Sequence, residues 1–197
     1  MDHEELNART RALIERGELE RATERVLRSY GAELTRYLHA ILPSETDAQE
    51  AFSRMSEDLW KSLMRFDGRC SIRTWCYMLA RHAASYVRRH PGADREFLVS
   101  RIPSIQHAMT DIWSSSVVQA ARNREVYAEI RNALEDDDQT LLALRVDRDL
   151  SWREIALVVL GESAAEEDLG KKATALRKQF ERVKDRLRQL AAERFAD

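Results

Sequence analysis

Two stretches of the chain line up the kinds of side chain that grip nucleic acid. Over residues 71–90, at about 100° per residue, Ile72, Trp75, Cys76, Leu79, Ala83 and Val87 gather on one helical face. The opposite face carries Arg73, Tyr77, Arg81 and Arg88 in a narrow strip, with Thr74, Ser85 and Arg89 beside it. Guanidinium forks hold phosphates bidentately and aromatic rings stack on unpaired bases, so the expected chemistry is the capture of an exposed strand. The second stretch, 173–193, has Leu176, Phe180, Val183, Leu187 and Leu190 as its apolar stripe. Arg177, Lys178, Arg182, Lys184, Arg186 and Arg188 occupy its exposed positions. Ahead of it, Ser151-Trp152-Arg153-Glu154 is a capping box opening a short helix that Gly161 ends. A short helix, a break and a basic helix read as a helix-turn-helix, whose second helix enters the major groove.

Reaction chemistry is not foreseen. The sequence has no Gly-rich phosphate loop, nucleophile elbow or pair of metal ligands at helical spacing. Cys70, Cys76 and His82 lack a fourth ligand at finger-like spacing, so buried or half-buried thiols are expected rather than zinc. The chain is therefore read as a non-enzyme that needs no cofactor and no metal. Trp60 is assigned to the core in preference to a wedge between bases. For Trp75 both readings stand.

The elements that must position these residues are helices. Among 197 residues there are only three Pro and six Gly, which argues against a turn-rich β-sandwich, and Ala, Leu, Arg and Glu are abundant. The fold class expected is all-α, with two small helical domains joined by a linker. Residues 4–29 read as helix, Gly31 as a break, and 32–42 as a second helix stopping before Pro43. Ser44 caps a helix whose stripe is Ala48, Phe52, Met55, Leu59 and Leu63, broken at Phe66-Asp67-Gly68, and Ser71 caps the next. Residues 91–119 lack clear periodicity and read as a tether. Helix resumes near 120–134, and another short helix over about 139–147 follows the acidic run from Glu135 to Asp138. The expected division is a helical extension at 1–25, a first domain at 26–92, a linker at 93–119 and a second domain at 120–197. No run of apolar residues is long enough to span a bilayer, Met1 to Thr10 has no signal-peptide core, and two cysteines make no disulfide framework. A cytoplasmic protein with no membrane partner is expected. Charge is segregated beneath a net −2: residues 65–95 carry +5 and 171–197 carry +5, against −4 over 1–64 and −8 over 96–170. Two basic blocks in an acidic chain suggest two separate polyanion contacts.

The front unit resembles region 2 of bacterial RNA polymerase sigma factors of the extracytoplasmic-function (ECF) type. The residues that carry the resemblance are Asp47-Ala48-Gln49-Glu50, Leu59-Trp60, Phe66-Asp67-Gly68, Arg73-Thr74-Trp75, Ala80-Arg81-His82 and Arg88-Arg89. The rear unit is similar to region 4 of that family through Leu141-Leu142-Ala143-Leu144-Arg145, Leu150 to Ala156, and Arg177 to Arg188. The resemblance implies that Asp47, Glu50, Arg54 and Trp60 dock on the clamp helices of core RNA polymerase. It implies that Phe66, Arg69, Ser71, Arg73, Trp75, Tyr77, Arg81, His82, Ser85, Arg88 and Arg89 open and hold the promoter's −10 element. It further implies that Arg177, Lys178, Glu181 and Arg182 read the −35 element, with Lys184 and Arg188 on phosphates. Promoter DNA and core polymerase are the partners so implied, and the family admits an anti-sigma protein as a regulator.

The chain departs from that pattern at three places. Ser53 and Arg54 stand where the family commonly has Gln and Glu, and His82 and Tyr86 replace Asn and Asp. The break between the two rear helices is read as 161–172, longer than usual and rich in acid at Glu162, Glu166, Glu167 and Asp168. Two rival readings remain: a stand-alone helix-turn-helix regulator with the front half as sensor, and a helical interaction protein whose basic faces meet acidic partners.

Overall fold

The computed structural model describes residues 3–42, 44–90, 97, 101–114 and 133–195. Among them the regular structure is eight α-helices with short 3-10 and π turns, and no strand. The fold is all-α, as expected. The chain separates into two compact units, Met1–Ala121 and Arg122–Asp197.

Unit 1 begins with α1 (His3–Glu15) and α2 (Leu19–Ile41). Between them the Gly17 N–H donates to the Ile14 carbonyl at 2.9 Å and the Glu18 N–H to the Leu13 carbonyl at 2.9 Å. Gly17 takes φ 73°, the left-handed conformation such a paired-bond stop requires. The break expected at Gly31 therefore falls at Gly17. Gly31 lies inside α2 for a different reason: a Cβ there would sit 2.2 Å from Cδ1 of Ile112. Its missing side chain is the slot into which a later helix packs.

α3 (Glu45–Ser62) and α4 (Ile72–Arg89) complete a three-helix core with α2. Ser44 accepts from the Asp47 N–H at 3.0 Å, and Ser71 from the Thr74 N–H at 3.0 Å, so both expected N-caps form. The fully buried stripe of α2 includes Val26, Leu27, Leu34 and Leu38; that of α3 includes Phe52, Met55 and Leu59. Each such side chain contributes about 1.5–3 kcal/mol of transfer free energy. After α3, a 3-10 turn at Leu63–Arg65 leads into the loop at 66–71.

α5 (Pro103–Ser114) occupies the stretch expected to be a tether. Ile105 and Ala108 are fully buried and Ile112 nearly so, a stripe at i, i+3 and i+7. The Trp113 ring meets Phe52 edge-on at 5.9 Å and His39 at 5.3 Å. Arg28 bridges to Asp111 at 3.2 Å, and Ser104 donates to Glu20 at 2.5 Å. Helix α5 is thus part of unit 1, held on α2 at the Gly31 slot. Residues 115–132, including most of the helix expected over 120–134, lie outside the described residues.

Unit 2 holds α6 (Asp136–Leu142), a π turn at Ala143–Asp147, α7 (Trp152–Leu160) and α8 (Glu166–Phe195). The acidic run does not precede α6 but forms its first turn, where carboxylates oppose the positive end of the helix dipole. The capping box of α7 is complete: Ser151 accepts from Glu154 N–H, and the Glu154 carboxylate accepts from Ser151 N–H at 2.8 Å. Leu134, Leu142 and Val183 form a core against which Phe180, Leu187 and Leu190 pack, and Trp152 meets Phe180 edge-on at 5.5 Å.

Candidate nucleic-acid interface

The front half of α4 is enclosed. Every residue from Thr74 to Ala80 is buried. Tyr77, expected on the outward strip, is fully buried; its ring meets Tyr37 edge-on at 5.2 Å and its hydroxyl donates to Glu33 Oε1 at 2.5 Å. The expectation that it stacks on bases is therefore corrected. Helix α2 faces this side of α4, and a large ring is more stable against α2 than in water. Arg73 shares the same acceptor, with Nε donating at 2.6 Å and Nη2 bridging at 2.6 Å. Glu33 so ties down two members of the expected strip. Arg88 is also engaged, its Nη2 donating to the Ile41 carbonyl.

Trp75 is a core residue, 3% exposed, with Phe66 edge-on at 5.4 Å. Of its two readings the anchor stands and the base wedge falls. Phe66 is half-buried and Arg69 exposed on the loop between α3 and α4. The Asp67 carboxylate accepts from the Arg69 N–H at 3.0 Å, which fixes the turn. Ser71 is committed to capping α4.

The accessible part of α4 is its rear half. His82 and Arg89 are exposed and Ser85 is half-buried; Arg81 beside them is also half-buried. Tyr86 completes this i, i+3, i+4, i+7 strip and was missing from the sequence-derived set. Its ring stacks with His90 at 4.2 Å and 22°. Helical spacing from His82 would have found it. The Arg89 Nε donates to the Ser85 carbonyl at 3.0 Å. Cys76 is buried, which pushes its thiol up, and Cys70 is half-buried.

On α3, Asp47, Glu50 and Trp60 are half-buried. Arg54 is not a surface docking residue: 11% of its side chain is exposed, and its guanidinium lies 3.6 Å from the Tyr86 ring centroid. A cation over an aromatic face in a desolvated place contributes about 2 kcal/mol. Glu50 approaches it at 3.8 Å. Two departures from the family pattern, Arg54 and Tyr86, therefore touch one another and fasten α3 to α4.

In unit 2 the basic helix starts earlier than expected. The break between α7 and α8 is confined to 161–165, and Glu166, Glu167 and Asp168 form the first turn of α8. Arg153 forks onto Glu166 at 2.9 and 2.6 Å. The acidic insertion is thus about two turns of helix rather than a loop. Arg177, Lys178, Glu181, Arg182 and Arg188 are exposed and Lys184 half-buried. Lys184 pairs with Glu181 at 2.7 Å and Arg188 with Asp185 at 2.6 Å. Arg177 begins about 16 Å along the helix from Glu166, at 1.5 Å per residue.

Residues 26–91 match the family model described as Sigma-70 region 2. No curated protein and no solved structure matches the chain. The match runs from within α2 through α3 and the loop to the end of α4, and supports a sigma factor of the sigma-70 family. No described helix is long and apolar enough to cross a membrane.

Proposed function

We propose that the chain is an ECF-type sigma factor. Unit 1 docks on the clamp helices of core polymerase through the Asp47–Glu50 face of α3 and opens the −10 element. Unit 2 reads the −35 element with Arg177, Lys178 and Arg182. The observation that carries the reading is the family match over 26–91, the segment that contains the loop at 66–71 and the exposed His82 and Arg89 of α4.

Opening a duplex needs no catalytic group. A protein that holds the unpaired strand better than the duplex shifts the equilibrium by mass action. Stacking contributes about 1–3 kcal/mol per captured base, enough with phosphate contacts to offset a few kcal/mol of unpairing. The rear half of α4 supplies a cation, Arg89, with His82 beside it; the loop adds a ring, Phe66, and a second cation, Arg69. In unit 2 the acidic first turn of α8 is repelled by phosphates, which moves the reading surface to the middle of the helix. That differs from the usual docking, where the first residues of the second helix meet the bases.

Transcription with purified core polymerase tests the reading. Adding the chain should give initiation at discrete sites on promoter templates, and it should co-purify with core polymerase without DNA. Tight, sequence-specific duplex binding by the chain alone, with no polymerase-dependent initiation, would support the stand-alone regulator instead.

A further inference from the structure

α1 lies in the stretch for which the family resemblance gave no role, yet it makes two long-range hydrogen bonds to the loop at 66–71 and the start of α4. The Ile72 N–H is one of the orphan donors at a helix start. Ser71 Oγ takes the Thr74 N–H, and Asn7 Oδ1, 65 positions away in the chain, takes that of Ile72 at 3.0 Å. One turn further along α1, Arg11 Nη2 donates to the Gly68 carbonyl at 3.2 Å. The same guanidinium lies 5.9 Å from the Phe66 ring centroid. A Cβ on Gly68 would come within 2.7 Å of Arg11 Cζ, so the arginine occupies the space that a side chain at 68 would need.

α1 is itself well anchored. Leu6, Thr10 and Leu13 are buried at i, i+4 and i+7, and Thr10 Oγ1 donates to the Leu6 carbonyl at 2.8 Å. Asn7 and Arg11, at i and i+4, form a strip immediately beside that stripe. Burial of the first strip fixes the second against the loop.

We infer that α1 is a positioning brace, acting through Asn7 and Arg11, that holds the 66–71 loop in the shape that captures the unpaired strand. The inference rests on the proposed reading of unit 1 as the strand-opening domain. A loop already held in its binding shape does not lose ordering entropy on each capture, whereas a loose one does. Asn7 and Arg11 are positioning residues and touch no DNA in this scheme.

Asn7→Ala and Arg11→Ala, each in the full chain, test it by two readouts. In the free chain, hydrogen exchange at the amide bonded by Asn7, Ile72, should quicken in Asn7→Ala by about fivefold, the factor expected for removing one intramolecular hydrogen bond. In holoenzyme assembled with core polymerase, the probe is a promoter duplex selected by the wild-type holoenzyme from a random pool. Permanganate reactivity of its non-template thymines should fall about fivefold in each variant, with affinity for core polymerase unchanged. Asn7→Asp keeps an acceptor oxygen and should restore both readouts. Unchanged exchange in Asn7→Ala overturns the brace. Altered exchange with wild-type thymine reactivity overturns its part in opening, and parallel loss of polymerase binding shows a general structural role instead. If the wild-type holoenzyme leaves every thymine unreactive, the proposed function fails, and the inference with it, whatever the exchange shows.

Discussion

α4 and α8 carry the same written signature, an apolar stripe backed by arginines, and the fold uses them in opposite ways. α4 packs its front half against both α2 and α3. Its first arginine is fastened to Glu33, Tyr77 is sealed in the core, and Arg88 holds a backbone carbonyl of α2. α8 packs only one side, so Arg177, Lys178 and Arg182 stay in water. A cation bound to its own scaffold supplies rigidity; a cation in water supplies a field. Unit 1 accordingly commits Arg73 and Arg88 of α4 to rigidity, while unit 2 presents accessible charge on one helix face.

Truncating matching positions on the two helices puts that contrast at greatest risk. Tyr77→Ala should cost about 3–5 kcal/mol in urea unfolding, as for other large buried rings, while Arg182→Ala should stay within about 0.5 kcal/mol. A cost below about 1 kcal/mol for Tyr77→Ala would mean that α4 is no more internal than α8. Next in size, Gly31→Val should destabilise unit 1 by about 1–3 kcal/mol because its branch collides with Ile112. The change should be read through the fluorescence of Trp113. Ser151→Ala removes one side of the α7 capping box and should cost about 1 kcal/mol, seen in unit 2 through Trp152.

Replacing Arg177, Lys178 and Arg182 together by Ala should leave unfolding almost untouched. It should lower the salt dependence of holoenzyme binding to −35 duplex by about one unit of slope for each phosphate that is no longer neutralised. An unchanged slope would move the charge-reading surface off α8. The smallest effect concerns Glu18, whose carboxyl is held below its ordinary range by hydrogen bonds from Arg16 and then Arg21. A lowered carboxylate stabilises the fold above its unfolded pKa and loses that contribution as pH falls. The melting difference between wild type and Glu18→Gln should therefore narrow from about pH 5 to pH 3.

The departures at Arg54 and Tyr86 bear on the same contrast. Read along the chain they are two separate oddities, one on each of two helices. In space they are a single stacked contact, with the guanidinium 3.6 Å from the ring centroid. That contact fastens α3 to α4 and covers one face of the Tyr86 ring.

Local chemistry was legible. The caps at Ser44, Ser71 and Ser151, the stops at Phe66-Asp67-Gly68 and Gly161, and the apolar stripes of α3, α4 and α8 all depend on neighbours within about one helical turn. The extent of burial was not. Tyr77 and Arg73 sit opposite the apolar stripe of α4, yet α2 covers them with Glu33, an acceptor forty positions back in the case of Arg73. Nothing in the periodicity of α4 distinguishes a helix packed on one side from one packed on several. The same limit hid α5: Ile105, Ala108 and Ile112 form a short stripe whose meaning depends on the slot that Gly31 opens in α2. It also hid the acidic start of α8, since Glu166, Glu167 and Asp168 suit a helix's first turn as well as a solvated loop.

The amino-acid order alone settled that this chain is helical, where α3, α4 and α7 begin and end, and which segments concentrate positive charge, because propensity, capping and net charge are short-range properties. Packing between distant segments selected which of those charges stay in water, which ring faces the core, and that α1 braces a loop some sixty residues away. Those outcomes depend on burial and on hydrogen bonds across the fold, and no window of sequence contains both partners.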